Sequence, residues 1–262
     1  MEQVFKRRTI TMEVLQSQRY KKRVRRIVFY TGLFLIVTAV FLLAAFAVFF
    51  KVRTINVTGN ARYSNEEIAA VLPVKINSNL YSFKAEDVEL KIKKELPYIG
   101  DVRVTRTIPS TLNIEITEAE PAMYLNIGND YYLLSGKLRV LDHFKDKSML
   151  PPDVIELKAS TVLRCIVGET ASFVDTRSYN SITELYDHLC ENGIEKDIRM
   201  IDIVSRFDIT LQYRDRFLVY LGDMDYADIK IRFFIGILQR LDAEDKGKID
   251  VSDYREATVA LF

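Results

Sequence analysis

From Ile27 to Phe50 the chain carries 24 consecutive residues without a charge. As a helix this run spans ~36 Å, enough to cross a bilayer core of about 30 Å with some tilt. It has no polar face with which to sit at the surface of a soluble core. Six of the eight residues from Arg19 to Arg26 are Lys or Arg, whereas only Lys51 and Arg53 flank the far end. That asymmetry predicts an N-terminus in the cytoplasm and residues 51–262 outside. The competing reading is a secretory signal cleaved near Ala45-Phe46-Ala47. Signal h-regions, however, run about 7–15 residues, so an uncleaved anchor is the expectation.

The net charge of +1 conceals a second asymmetry. Residues 1–26 hold nine basic and two acidic residues, leaving 28 basic and 34 acidic residues in the remainder. Nucleic-acid proteins carry positive charge on the folded face that meets phosphate. Here it sits in a short arm beside an apolar run, so the arm either sets topology or also meets anionic lipid.

After the anchor, Val52–Val57 reads as a strand and Gly59-Asn60 as a turn, with Gly59 supplying a backbone angle that other residues avoid. Ser64 and Glu67 have capping-box spacing at the start of a short helix bearing Ile68, Val71 and Leu72, which Pro73 ends. A second helix is expected from about Lys84 to Leu96, with Val88, Ile92 and Leu96 on its apolar face. Val102 and Val104 alternate with polar residues, as do Leu112, Ile114 and Ile116, so two strands follow across Pro109-Ser110. The order is β-α-α-β-β, with both helices expected on one side of a three-stranded sheet.

From about residue 122 the pattern is mainly strand. Candidates are Met123–Ile127, Tyr131–Leu134, Leu138–Leu141, Val154–Leu157, Ile201–Val204, Ile209–Tyr213, Phe217–Leu221, Lys248–Val251 and Ala257–Leu261. Helices are expected from Asn180 to Asn192 and from Tyr226 to about Leu241. The second of these should bury Ile229, Phe233, Ile237 and Leu241 on one face.

Residues with catalytic or ligating chemistry are sparse. His143 and His188 stand in no metal-binding or nucleophile-activating spacing, and no phosphate-binding glycine loop is present. Cys165 and Cys190 form no CxxC; they carry either a disulfide or, as the favoured reading, two buried reduced thiols. Asp242–Asp253 imitates a calcium-binding EF-hand loop. Lys246, however, occupies a position that needs an oxygen, and Asp253 replaces the bidentate Glu, so a helix-to-strand loop is expected. No catalytic, cofactor or metal site is predicted, and the chain is expected not to be an enzyme.

Four segments resemble the FtsQ/DivIB family of bacterial cell-division proteins. Val52–Ser64 is similar to the family's opening strand, Gly-Asn turn and aromatic. Asn79–Phe83 is similar to the loop before the second helix. Pro97–Ile99 and Arg106–Ile114 are similar to the closing hairpin, and Glu118–Ala122 to the exit into the next domain. The resemblance covers residues 27–261, more loosely after 121. It implies an α+β chain: a basic cytoplasmic tail (1–26), a transmembrane helix (27–50), a POTRA domain (51–120) and a C-terminal mainly β domain with helices (121–262).

The resemblance further implies a single-pass type II protein of the cell membrane, located at the division septum. There it would be a non-catalytic divisome scaffold. Its implied partners are small membrane proteins like FtsB/DivIC and FtsL and, through them, the septal peptidoglycan synthase. The expected binding edge is the last strand, where a partner segment adds to the sheet. Ala257, Thr258, Val259, Ala260 and Leu261 form that edge, with Val259 and Leu261 facing one side and Thr258 and Ala260 the other. Tyr254 and Arg255 are candidate side-chain anchors. Two other readings remain: a POTRA-bearing outer-membrane assembly or secretion protein, for which the chain lacks a barrel's strands, and a membrane-anchored enzyme of unknown type.

Overall fold

The computed structural model describes the chain from Glu2 to Phe262, and its side chains from Arg23 onward. The basic side chains ahead of Arg23 therefore lie outside the described residues. Helix α1 (Glu2–Phe49) is followed by β1 (Thr54–Thr58), α2 (Asn65–Val71), α3 (Ala85–Glu95), β2 (Ile99–Thr107) and β3 (Thr111–Glu118). The stretch of α1 from Arg23 to Phe49 is long and apolar enough to cross a membrane, and none of its most apolar window is buried within the protein.

The strands β1, β2 and β3 form a sheet in the order β1-β3-β2. The expected β-α-α-β-β module is thus present. Its local signals act as anticipated. Ser64 Oγ accepts from the Glu67 amide while the Glu67 carboxylate accepts from the Ser64 amide, closing both halves of the capping box. This holds the Glu67 carboxyl below its ordinary range. Gly59 adopts φ 84°, and a Cβ there would lie 2.0 Å from the Ile116 carbonyl oxygen. The Glu118 carboxylate accepts from the amides of Ala61 and Arg62, each at 2.7 Å, and fixes the turn that Gly59 opens.

The C-terminal region contains β4 (Pro121–Ile127), β5 (Asp130–Ser135), β6 (Val140–Phe144), β7 (Ile155–Ala159), β8 (Val162–Arg164), β9 (Ser172–Phe173), α4 (Arg177–Glu191), β10 (Ile198–Ile203), β11 (Ile209–Tyr213), β12 (Phe217–Gly222), α5 (Ala227–Leu238), β13 (Gly247–Asp250) and β14 (Thr258–Leu261). Nine of these strands make one mixed sheet in the order β14-β13-β12-β11-β10-β7-β4-β5-β6, and β8 pairs with β9 separately. Ile198, Ile201, Leu211, Val219 and Ile249 project from one face into a core shared with Ile182, Leu185 and Leu189 of α4 and Ile231 and Phe234 of α5. Residues between them, such as Gln212 and Lys248, are left toward solvent. This period-two pattern is why the strands β10 to β13 are legible in the sequence.

Several expectations are corrected. The hairpin β8–β9 was not anticipated, and α4 begins at Arg177, ahead of Asn180. Helix α5 ends at Leu238 and buries Ala227, Lys230, Ile231 and Phe234. Ile229 and Phe233, expected inside, are 38% and 39% exposed, while Ile237 and Leu241 are partly buried against the core. The helix is apolar nearly all round, so two stripes compete, and a lysine on the winning one disguised it. Both cysteines are free; Cys165 is partly buried, but Cys190 is exposed, contrary to the expectation of two buried thiols.

By packing, the chain divides into two compact units. One comprises residues 1–55, 75–83 and 106–112; the other comprises 56–74, 84–105 and 113–262. Within the second unit, the β-α-α-β-β module joins the large sheet through buried contacts. The buried Arg139 guanidinium donates to the carbonyls of Pro97 (2.8 Å) and Lys93 beyond and within the last turn of α3. Tyr98 packs with Leu133 and Leu141 in a small separate core. Its hydroxyl donates to Asp142 at 3.3 Å, and Arg62 lies over its ring at 3.7 Å.

Candidate partner-binding edge

The nine-stranded sheet ends on β6 at one side and β14 at the other. The β6 side is partly covered. The Val140 amide donates to the Glu169 carbonyl, the Gly168 amide to the Val140 carbonyl, and the Ala171 amide to the Leu138 carbonyl. The β14 side carries no further strand, and all four of its residues are exposed.

The register shows which groups β14 presents. It runs antiparallel to β13, with Thr258 opposite Asp250, Val259 opposite Ile249, Ala260 opposite Lys248 and Leu261 opposite Gly247. The Phe262 amide donates to the Lys246 carbonyl at 3.1 Å, so that pair is hydrogen-bonded. Bonded pairs alternate in an antiparallel ladder. The backbone groups of Thr258 and Ala260 therefore turn inward to β13, and those of Val259 and Leu261 turn outward. On β13 the alternation is consistent: the Gly247 amide points away from β14 and donates to the Arg216 carbonyl at 3.0 Å.

Side chains sort the same way. Val259 is paired with buried Ile249, so Val259 and Leu261 stand on the helix-covered face and Thr258 and Ala260 on the other, as expected from alternation. Helix α5 connects the parallel neighbours β12 and β13 and lies on that same face, since Ile231 and Phe234 share a core with Ile249. Its exposed Ile229 and Phe233 therefore belong to the same side of the sheet as Val259 and Leu261. They are functional candidates that sequence reading missed, because it assigned them to the core.

The supports beneath this edge are specific. Gly247 permits the close approach of β14, for a Cβ there would lie 2.0 Å from the Ala260 carbonyl oxygen. Lys230, 2% exposed, donates to the Asp223 carboxylate (2.8 Å) and the Asp223 carbonyl (3.1 Å), anchoring the turn that leads into α5. The Lys230 ammonium holds the Asp223 carboxyl below its ordinary range. Tyr226 ends that turn at φ 58° and lies against Tyr254, ring centroids 4.4 Å apart. Tyr254 and Arg255 sit in the β13–β14 connection, with the Arg255 guanidinium 5.1 Å from the Tyr254 ring centre. Ala257, just ahead of the strand, is partly buried against the core.

Elsewhere both histidines stand beside carboxylates. His143 Nε2 is 3.3 Å from Asp130, and His188 Nδ1 is 3.3 Å from Glu191. Burial pushes the Cys165 thiol up to about 11, so it is protonated and poorly nucleophilic at neutral pH. In the loop that imitates an EF-hand, the carbonyls of Asp242 and Asp245 accept from the Arg216 guanidinium. A fixed cation of the chain already meets those oxygens.

Residues 50–119 match the FtsQ-type POTRA domain. The chain is 32% identical over 210 residues to the cell division protein FtsQ of Corynebacterium glutamicum, covering 75% of this chain and 82% of that one. The chain belongs to the FtsQ/DivIB family. It is also 25% identical over 245 residues to the cell division protein DivIB of Clostridium botulinum, covering 92% of this chain and 93% of the relative. With FtsQ of Streptomyces venezuelae it shares 24% identity over 212 residues. An FtsQ/DivIB chain is a cell-division protein, and its apolar N-terminal helix is consistent with a membrane anchor.

Proposed function

We propose that this FtsQ/DivIB chain is a non-catalytic divisome scaffold that captures a small membrane division protein by strand addition at β14. The observation that carries this reading is the outward pair of N–H and C=O groups at Val259 and Leu261, on a sheet whose opposite edge is partly covered. An incoming strand gains backbone hydrogen bonds there, and its alternate side chains meet Val259, Leu261 and the exposed face of α5. Tyr254 and Arg255 are the side-chain anchors beside the strand. The partners are FtsB/DivIC-like and FtsL-like proteins, and through them the septal peptidoglycan synthase is reached.

The same reading gives α1 a type II orientation: residues 1–26 in the cytoplasm, 27–50 in the membrane, and a POTRA domain (51–120) and β domain (121–262) outside, working at the septum. The basic flank before Ile27 supports the orientation.

The register supplies the test. Val259→Pro removes an outward donor while leaving the inward ladder of Thr258 and Ala260 in place, and Val259→Glu adds a charge to the contact face. Both variants should reach the membrane at normal levels and lose co-purification of the small partner. Unchanged co-purification would overturn strand addition at this edge.

A further inference from the structure

The compact unit that contains α1 also contains two loops far from it in sequence, 75–83 and 106–112. Backbone bonds tie the first loop to the chain leaving the helix. The Leu80 amide donates to the Phe50 carbonyl (2.7 Å), the Val52 amide to the Ser78 carbonyl (2.8 Å), and the Asn77 amide to the Val52 carbonyl (2.8 Å). The second loop is held by the Arg53 amide donating to the Ser110 carbonyl (2.8 Å). The Arg106 side chain joins the loops, donating to the carbonyls of Leu80 (2.9 Å) and Phe83 (2.7 Å).

Aromatic contacts set the depth of this assembly. The Tyr81 ring stacks on Phe46 at 5.6 Å and meets Phe50 edge-on at 5.5 Å. Phe46 lies inside the apolar span, about 6 Å along the axis before Phe50. Tyr81 is thus held beside the last turn of a membrane-crossing helix, the depth at which amphipathic aromatic rings settle. Beside it on the same two loops, Ile76 (52% exposed) and Ile108 (62%) present apolar side chains to the outside, and Tyr81 keeps 47% of its surface exposed.

The charge of the unit is equally one-sided. Residues 51–55, 75–83 and 106–112 contain Lys51, Arg53, Lys75 and Arg106 and no acidic residue. The chain after the span otherwise carries an excess of acids, so these loops are a positive island on a negative body. Exposed apolar side chains on segments that also carry Lys51, Arg53 and Lys75, continuous with a membrane anchor, match an interfacial lipid surface: the apolar tips enter the headgroup–acyl boundary and these three cations meet phosphates.

We propose that the loops 75–83 and 106–112 form a membrane-docking face that seats the POTRA domain on the anionic lipid leaflet from which α1 emerges. This rests on α1 crossing a bilayer. Docking restrains the domain at its base, where a single helix alone would leave it free to swivel.

The chain contains no tryptophan, so single introduced tryptophans report position without background. The full chain is reconstituted in phosphatidylethanolamine–phosphatidylglycerol vesicles with brominated acyl chains. Tryptophan replaces Ile76, Ile108, Phe41 within α1, or Phe207, an exposed aromatic between β10 and β11. Emission from Ile76→Trp and Ile108→Trp should shift to the blue and be strongly quenched, as for Phe41→Trp, while Phe207→Trp stays bright. Quenching at residue 41 with none at 76 and 108 overturns docking and leaves the span intact. No quenching at residue 41 overturns both. Equal quenching at 207 also overturns docking, because contact would then not be confined to these loops. Arg53→Glu with Lys75→Glu should reduce quenching at residue 108; unchanged quenching would refute the part assigned to the cations.

Discussion

At Gly247 the absence of a side chain sets the position of a whole strand. A Cβ would collide with backbone of β14, not with the flexible end of a side chain, so relief requires β14 to move. Gly247→Ala should therefore leave the core of Ile231, Phe234 and Ile249 folded, with a stability loss of about 1–3 kcal/mol. Partner binding should fall as severely as in the strand variants; thermal unfolding and co-purification measure the two effects. Lys230 is a second such residue. Replacing Asp223 by Ala strands a buried ammonium, and we expect a loss on the order of 1–3 kcal/mol, reduced from the fully buried case because the Asp223 side chain is 44% exposed. The pH dependence follows from the lowered Asp223 pKa. Its contribution is fully present above the unfolded value near 3.8 and is lost as pH falls through the lower folded value. Wild type should lose part of its advantage over Asp223→Asn in acid titrations of stability below about pH 4. Lys230 also shows where sequence reading fails: nothing marks a lysine as buried until its carboxylate partner is placed.

At the level of elements, legibility followed length and periodicity. Helix α2 is readable from its capping box and α3 from the four-residue spacing of its apolar side chains. The strands β10 to β13 were readable because one face is buried and the other wet. The hairpin β8–β9 is not, since strands of three and two residues are too short to show a period. Helix α5 was found but rotated in its reading, and the rotation hid Ile229 and Phe233. Those two residues now extend the candidate surface beyond β14. Ile229→Glu with Phe233→Glu should leave the chain folded, at a cost of about 1–3 kcal/mol because each side chain is partly covered (38% and 39% exposed). The same pair should weaken partner capture, measured by co-purification, if the partner reaches over α5 from the edge. That Val259 and Leu261 share a face was legible from alternation, but which amides of the strand point outward required the ladder, because one bond at Phe262 fixes the parity of the rest.

Across the whole molecule, the POTRA module and the large sheet are coupled through Arg139. Its guanidinium satisfies two backbone carbonyls at the end of α3 in a buried setting, and Tyr98 adds an apolar contact with Leu133 and Leu141. Arg139→Ala leaves those carbonyls unpaired. It should cost about 1.5–3 kcal/mol and broaden distances between spin labels placed on α3 and on β11. Under the proposed scaffold role a rigid junction matters, because position at one end is transmitted to the other only if the body between does not bend. The proposed function stands or falls at the edge, where a partner strand would pair with the outward backbone groups of β14. Residue-resolved hydrogen exchange on the full chain, alone and in complex with its small membrane partner, tests this most directly. With strand addition, the amides of Val259 and Leu261 should exchange rapidly in the free protein and become protected in the complex, while that of Ala260 should be protected in both. A formed complex in which Val259 and Leu261 still exchange at the free rate would contradict it.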